Sequence, residues 1–435
     1  MKTGMYEIEA FLKEDLWDLL TRLFPIYRSL TGPGFKQSLD LISEILPLQT
    51  MEFPTGSQCG SWTIPQEWDV REAYIETLDG KRIVDFSKNS FYILHYSRPF
   101  SGIISSDKLL EHIQVDSALP DAIPVRQTFY RDAWGFCLSQ EERETLTDDF
   151  YRVAINTVFY DGALRIGEFY LPGIRHEEIL LDAVLSVPAT ANNISGIAVA
   201  VMLMKLLAAR ENRHWSYRLF LTPETLGPIA LHYLARDLVR NVIGGFTYTN
   251  LADRAPRFHY KKSRSGDTVT DKAMAHSLKH FDIPFEIQDY HVLPGSCGDE
   301  KAFNSLGIEV PIGAICRSPM GSYPEYFTSK DNLSFIDPDE LFVSFKLCWG
   351  AIQALERTRF FKHQFEGEPF LTRYGLLPKI IHKKDRMPYD YLMAFSTGQL
   401  SLLEIADKAG LPVTEFDEAV QLMIKCGLVA ETSAE

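Results

Sequence analysis

The feature that most restricts how this 435-residue chain can fold is an alternation of short apolar runs with helical stretches between about residues 129 and 355. EILLDAVLS, SYRLFLT, NVIGGFTYTNL and VPIGAICR have the length and the aliphatic and aromatic content of buried strands. Ser195 to Ala209, Gly227 to Val239, Thr268 to His280 and Pro338 to Leu355 repeat apolar residues at helical spacing and lie between or after those strands. The alternation predicts a mixed α/β domain on a mainly parallel sheet flanked by helices. FYRVAINTVFYDGALRIGEFYLPG reads as a hairpin turning at Asp161-Gly162. Ligands of such sheets sit beyond the carboxyl ends of the strands, so the loops after Leu185, Leu221, Leu251 and Arg317 hold the candidate site.

The flanking segments have other patterns. From Ile8 to Leu46 two helices are predicted, joined by the corner SLTGPG. Residues 51–123 are richer in short β pieces, with a hairpin signal in REAYIETLDGKRIVDF around Leu78-Asp79-Gly80. After the polar joint FFKHQFEGEP, SLLEIADKAGLPVTEFDEAVQLMIKCGLV predicts a helix-turn-helix, read as a winged helix. The expected organisation is an α/β domain from 1–50 and 124–360, a small inserted β domain at 51–123, and a winged-helix domain at 361–435.

Composition narrows the function. With 46% hydrophobic and 23% charged residues the chain can bury a packed core, and its net charge of -14 argues against nucleic acid or an anionic membrane as a partner. Six scattered cysteines with no Cys-x-x-Cys fit reduced thiols and a cytoplasmic setting. The N-terminal segment, with Glu7, Glu9, Glu14 and Asp15 among its apolar residues, reads as an amphipathic helix instead of a signal peptide. ISGIAVAVMLMKLLAA contains Lys205 and falls short of the ~20 apolar residues that a membrane span needs.

Several local signals have simple explanations. His276 and His280 share a helical face but lack a third metal ligand in sequence, and are read as helix surface. The helix-turn-helix carries Glu415, Asp417 and Glu418 where DNA phosphates would lie, which favours docking on protein over DNA. GDTVTD lacks the lysine and second glycine of a phosphate loop and reads as a helix cap. No Gly-x-Ser-x-Gly elbow is present.

A set of strings in order, LFPIYRSLTGPG, WTIPQEWDVREAYI, WGFCLS, GEFYLPG, FLTPETLGPIA, SRSGDT and SYPEYFTSKDNL, resembles the bacterial aminopeptidase-like family associated with polysaccharide and other biosynthetic gene clusters. That family has the zinc exopeptidase fold, shared with glutaminyl cyclase, and the resemblance runs from about residue 20 to the winged helix. It implies a loop close to Cys-His-Pro-Ser-x-Ala-Asn-Asp-Asn-Leu-Ser-Gly, whose His binds zinc and whose Asp bridges metals. Here Ser186-Val187-Pro188 stands for Cys-His-Pro, and Ala191-Asn192-Asn193-Ile194-Ser195-Gly196 is one residue short, most simply the Asp. The family's Tyr-Pro-Glu-Tyr-His-Thr-Ser becomes Tyr323-Pro324-Glu325-Tyr326-Phe327-Thr328-Ser329, and its Ser-Asp-Glu-Arg-Gln-Tyr becomes Gly298-Asp299-Glu300-Lys301-Ala302-Phe303.

Catalytic zinc needs about three protein ligands and an open position. Val187 and Phe327, at the degenerate metal positions, have no lone pairs to donate, and Glu224, Asp299 and Glu300 form at best a weak oxygen site. No metal and no other cofactor is therefore expected. Glu224 and Asp299 are the candidate catalytic residues, expected to share a proton or to pair with Arg264, Arg317 or Lys301. Asn192, Asn193, Arg264, Glu300, Lys301, Arg317, Tyr323, Glu325, Tyr326 and Phe327 are the candidate ligand-pocket residues.

The leading expectation is a pseudo-peptidase that binds an amino-acid, peptide or related small ligand, with the winged helix available to a protein partner and a homo-oligomer left open. The alternative is a metal-independent enzyme of amide or aminoacyl chemistry using Glu224 or Asp299. An active metallo-aminopeptidase ranks last.

Overall fold

The computed structural model describes residues 2–128, 131–185, 190–291, 298–376 and 383–433, so Val187 lies outside the described residues. Eight strands make the main sheet: β1 (Gln49–Pro54), β2 (Ala163–Leu171), β3 (Glu178–Val184), β4 (Ser216–Thr222), β5 (Val242–Tyr248), β6 (Phe258–Lys261), β7 (Phe285–Gln288) and β8 (Ile312–Cys316). Their spatial order is β1-β2-β4-β3-β5-β8-β6-β7. The central strands β4, β3, β5 and β8 run parallel, while β1 pairs antiparallel with β2, β2 with β4, and β6 with β8. β3 and β4 are buried along their whole length, which is why both read as apolar runs without alternation.

Helices cover both faces. On one, α1 (Lys2–Leu23), α3 (Ala191–Ala208), α5 (Val269–Lys279) and α6 (Pro338–Leu355) enclose the largest core. α3 is the only helix among the described residues long and apolar enough to cross a membrane, and it is buried inside this core. Its apolar character on all sides reflects that central place. It packs tightly onto the end of β5: a Cβ on Gly196 would lie 2.0 Å from the Tyr248 carbonyl oxygen, so only glycine permits this approach. α2 (Pro33–Ser43) begins with Pro at its first position, as the SLTGPG corner predicts. On the other face α4 (Leu226–Leu234) buries Leu226, Ala230 and Leu231.

A second, antiparallel sheet is ordered 82–85, 67–77, 150–160, 100–105. The hairpin around Gly80 forms as predicted, but the one expected at Asp161-Gly162 does not. Residues 150–160 pair with 67–77 and 100–105, while β2 pairs with β1 and β4. The Asp-Gly turn is a corner where the chain passes from one sheet to the other. Glu67 fills that corner, accepting hydrogen bonds from Ala163 N (3.0 Å) and Arg165 Nη1 (2.7 Å). A local turn signal cannot tell a hairpin from such a corner, because the deciding partners are distant in sequence.

The C-terminal unit is a winged helix: α7 (Lys383–Phe395), α8 (Leu402–Ala409), α9 (Asp417–Lys425) and a three-stranded sheet of 360–363, 397–401 and 429–432. Two of its acids, Glu404 and Asp417, pair with the α/β unit, while Glu415 and Glu418 are exposed. Lys272 pairs with Glu404 (2.9 Å), and Arg357 grips Asp417 in two bonds of 2.8 and 2.6 Å. His276 Nδ1 meets Asp407 Oδ1 at 2.7 Å, while Val413 N donates to His276 Nε2 at 3.0 Å.

Candidate functional site

The carboxyl ends of the parallel strands converge on Glu224, which follows β4. The next residue, Thr225, has φ 62° and ψ -53°, a strained conformation for a residue other than glycine. Its N–H donates to Asp299 Oδ1 at 2.6 Å, and the Thr222 hydroxyl lies 2.5 Å from Asp299 Oδ2. Asp299 in turn follows Gly298, whose φ of 134° suits glycine. The Glu224 carboxylate has no hydrogen-bond or ion-pair partner among the described residues. Burial raises its pKa, and the charge of Glu300 raises it further.

Behind Glu224 lies a chain of buried acids. Thr222 Oγ1 is also 3.2 Å from Asp182 Oδ1, and Thr247 Oγ1 donates to Asp182 Oδ2 at 2.9 Å. One hydroxyl has one proton, so it can donate to one of the two carboxyls and must accept from the other. Asp182 or Asp299 is therefore protonated when both contacts are made. Burial is the main cause raising both groups, Asp182 to about 7 and Asp299 well above the carboxylate range, and each sits in the field of a neighbouring acid. Glu300 pairs at 2.5 Å with Lys261, both at 1% exposure or less. Lys261 also donates to the His291 carbonyl at 3.2 Å. Asp182, Glu224, Asp299 and Glu300 thus share one buried ammonium.

A second cluster, at the start of α3, is held by different acids. The Asn192 amide donates to Asp253 Oδ2 (2.7 Å) and its carbonyl accepts from Ala252 N (3.1 Å), while its backbone N–H donates to Asp331 Oδ1 (2.7 Å). Asn193 reaches Thr249 Oγ1 at 3.4 Å. The Tyr323 hydroxyl donates to Asp331 Oδ2 at 3.1 Å, and its ring stacks on Phe335 with centroids 5.4 Å apart. Burial raises Asp331 to about 7. Phe327 has φ 54°, accepts at its carbonyl from Val125 N (2.8 Å), and packs against Tyr326 with centroids 4.7 Å apart. Glu325 is half-buried, its backbone carbonyl accepting from Thr328 Oγ1 at 2.7 Å.

The expected pairing of Glu224 and Asp299 with Arg264, Arg317 or Lys301 is corrected. Arg264 pairs with Glu309 (2.9 Å), Arg317 binds Ser344 Oγ and the Ala255 carbonyl (2.9 Å each) and contacts Glu340, and Lys301 is exposed. The base that enters the acid cluster is Lys261. Sequence reading passed over Asp182, Lys261, Asp253 and Asp331. Two carried a signal: an aspartate inside the apolar run EILLDAVLS, and a lysine closing the strand FHYK.

The donor set does not fit a zinc ion. Asp299 is spent on Thr222 and Thr225, Glu300 on Lys261, and Phe327 offers a hydrocarbon ring. Among the described residues the only converging group of three His, Cys, Asp or Glu ligands is His276, His280 and Asp407, within 4.8 Å of one another. His276 is buried under the winged helix at 4% exposure, correcting its reading as helix surface. Because Val413 N donates to its Nε2, coordination through Nδ1 would leave both ring nitrogens without hydrogen, which neutral imidazole chemistry disfavours. The three residues form a latch between units.

Comparison with known proteins places these features in a family. Residues 17–358 match the family described as domain of unknown function (DUF4910), and residues 359–431 match a winged helix-turn-helix family. A Clostridium acetobutylicum protein named as a candidate polysaccharide biosynthesis protein with an aminopeptidase-like domain is 32% identical, across 98% of this chain and 99% of its own length. The crystal structure of a candidate peptidase from Clostridium acetobutylicum superposes with a TM-score of 0.91 at 30% identity, covering 99% of this chain and 100% of that one. The zinc aminopeptidase of Bacillus subtilis shares the fold, with a TM-score of 0.56 at 11% identity over 79% of this chain and 94% of its own.

Proposed function

Since the chain belongs to the DUF4910 family and has the aminopeptidase fold, we propose that it is a pseudo-peptidase that binds a small ligand bearing a primary amine, an amino acid, a peptide or a related molecule. The observation that carries this reading is Glu224. It is a carboxylate with no partner among the described residues, at a strand-end site where every other acid of the cluster is already bonded. A half-buried carboxylate beside three further acids and one ammonium favours an added positive charge. An organic ammonium supplies that charge and three donors without requiring imidazole ligands. The name of the Clostridium acetobutylicum relative supports a polysaccharide biosynthetic setting.

Calorimetry of the full chain with free amino acids and dipeptides, beside their N-acetylated forms, tests the proposal. Binding of the free amines alone is expected, with Glu224→Gln weakening it by about tenfold or more, the scale of a lost charge-assisted hydrogen bond. Stoichiometric zinc in the purified protein together with dipeptide hydrolysis would overturn it. The raised pKa of Glu224 favours a second reading, in which the same carboxylate serves as general base in metal-independent aminoacyl chemistry. Conversion of the bound amine to a new product, abolished by Glu224→Gln, would select that reading.

A further inference from the structure

A cavity of about 680 Å³ lies on the seam between the α/β unit and the winged helix, remote in sequence from Glu224. The α/β unit contributes Arg175, Asn212, His214, Trp215 and Thr358, and the winged helix contributes Arg359, Phe360 and the end of the last strand. Its volume is that of a small-molecule site, and seams between units are where such sites concentrate.

The polar groups there are unequally satisfied. Glu356 is fully used: one oxygen accepts from Tyr217 (2.8 Å) and the other from His214 N (3.0 Å). Arg175 gives Nε and Nη2 to Glu177 at 3.2 and 2.5 Å. Arg359 is different. Among the described residues its Nε is enclosed without a partner, and its one carboxylate contact is Glu431, at the long distance of 3.4 Å. A guanidinium fork binds two acceptor oxygens side by side, and here that capacity is unused. The field of the two arginines is felt at His214: burial first, then Arg359 and Arg175, lower its pKa to about 4. The ring is therefore neutral near pH 7, with one N–H and one acceptor nitrogen. Asn212 and Thr432 add further donors, Thr358 being spent on the Leu355 carbonyl, while Trp215 and Phe360 supply aromatic wall.

We propose that this seam is a binding site for an organic phosphate monoester, with Arg359 gripping the phosphate and the aromatic wall taking its organic part. A phosphate monoester offers three terminal oxygens to Arg359, Asn212 and Thr432, where a carboxylate offers two. The cavity is larger than free phosphate, which leaves room for the ester. Since the lining comes from both units, the ligand bridges them and stiffens their docking.

Calorimetry on the full chain with phenyl phosphate, inorganic phosphate and benzoate tests the assignment. Phenyl phosphate is expected to bind saturably and tighter than either alternative. Arg359→Gln is expected to weaken it by about tenfold or more, and Glu431→Gln to tighten it severalfold by removing the competing carboxylate. A general structural defect would not give opposite signs at the two positions. Glu224→Gln is expected to leave this binding unchanged. No saturable binding of phenyl phosphate, equal binding of inorganic phosphate, preference for benzoate, or changes of the same sign in both variants would each overturn the proposal.

Discussion

The backbone N–H of Thr225 donates to Asp299 Oδ1 at 2.6 Å across 74 residues of chain, and this bond holds the strained peptide that presents Glu224. Asp299 thereby acts on Glu224 through the backbone. Its cost and its role can be separated. Asp299→Ala removes the acceptor for Thr225 and is expected to cost about 2 kcal/mol, the scale of a buried donor left unsatisfied. Thr225→Gly relieves the positive φ, so the same Asp299→Ala change should cost about 1 kcal/mol less in the glycine background. Denaturant unfolding of the four proteins in this cycle measures the coupling, and additive effects would refute the link.

Asp182 supplies a pH dependence. Its carboxyl is raised to about 7 by burial, while in the unfolded chain it titrates near ~3.9. The folded state holds the proton more tightly, so this contribution to stability is complete below the unfolded pKa and is lost as pH rises through about 7. Asp182→Asn keeps an acceptor for Thr247 and a donor for Thr222, and cannot ionise. The variant is expected to gain on the native protein by about 1.4 kcal/mol for each pH unit between about 4 and 7, and to gain nothing further above 7. Asp299 lies in the field of Asp182 and shifts with it, while groups remote from the pair cancel in the difference. A difference independent of pH would show that the shared proton is absent.

The Lys261–Glu300 pair gives a sharper stability test. Each partner is enclosed, so Lys261→Met strands a buried carboxylate and is expected to cost about 3–5 kcal/mol. Adding Glu300→Gln removes that charge and should recover more than half of the loss. Thermal unfolding of the two single variants and the double variant decides it: a double variant as unstable as the sum of the singles would mean that the ion pair does not neutralise the cluster.

Much of this was legible in the sequence, for reasons that can be named. β3, β4, β5 and β8 were visible because strands buried on both faces must be apolar throughout, and α6 begins at Pro338 and ends at Leu355 as its periodicity indicates. β6 and β7 were not legible, since four-residue strands such as FHYK and FEIQ carry too little pattern. Glu224 was visible because PETLG resembles the stretch that carries the family's acidic site residue. Its surroundings were not, because Asp299 and the Lys261–Glu300 pair come near it only through the order of strands in the sheet. Arg264 and Arg317 illustrate the same limit: sequence proximity to the site suggested partners for its acids, but Glu309 and Glu340 hold them elsewhere.

The latch at His276 makes the last prediction. The ring accepts from Val413 N and faces Asp407, so it joins α5 to both halves of the helix-turn-helix. His276→Ala leaves a buried N–H and a carboxylate without their partner, at a cost of about 2 kcal/mol that falls on docking and spares the main sheet. Faster amide hydrogen exchange is expected in α8, α9 and the turn between them, with exchange in β3 to β5 unchanged, because local opening reports the elements whose contacts were lost. Asp417 pairs with Arg357 and Glu404 with Lys272, so two acids of the helix-turn-helix add to the docking, while Glu415 and Glu418 stay exposed. If exchange in α8 and α9 is already at the unprotected rate in the native protein, the winged helix is not docked. If exchange rises equally across the main sheet, His276 supports the whole fold and the latch assignment fails.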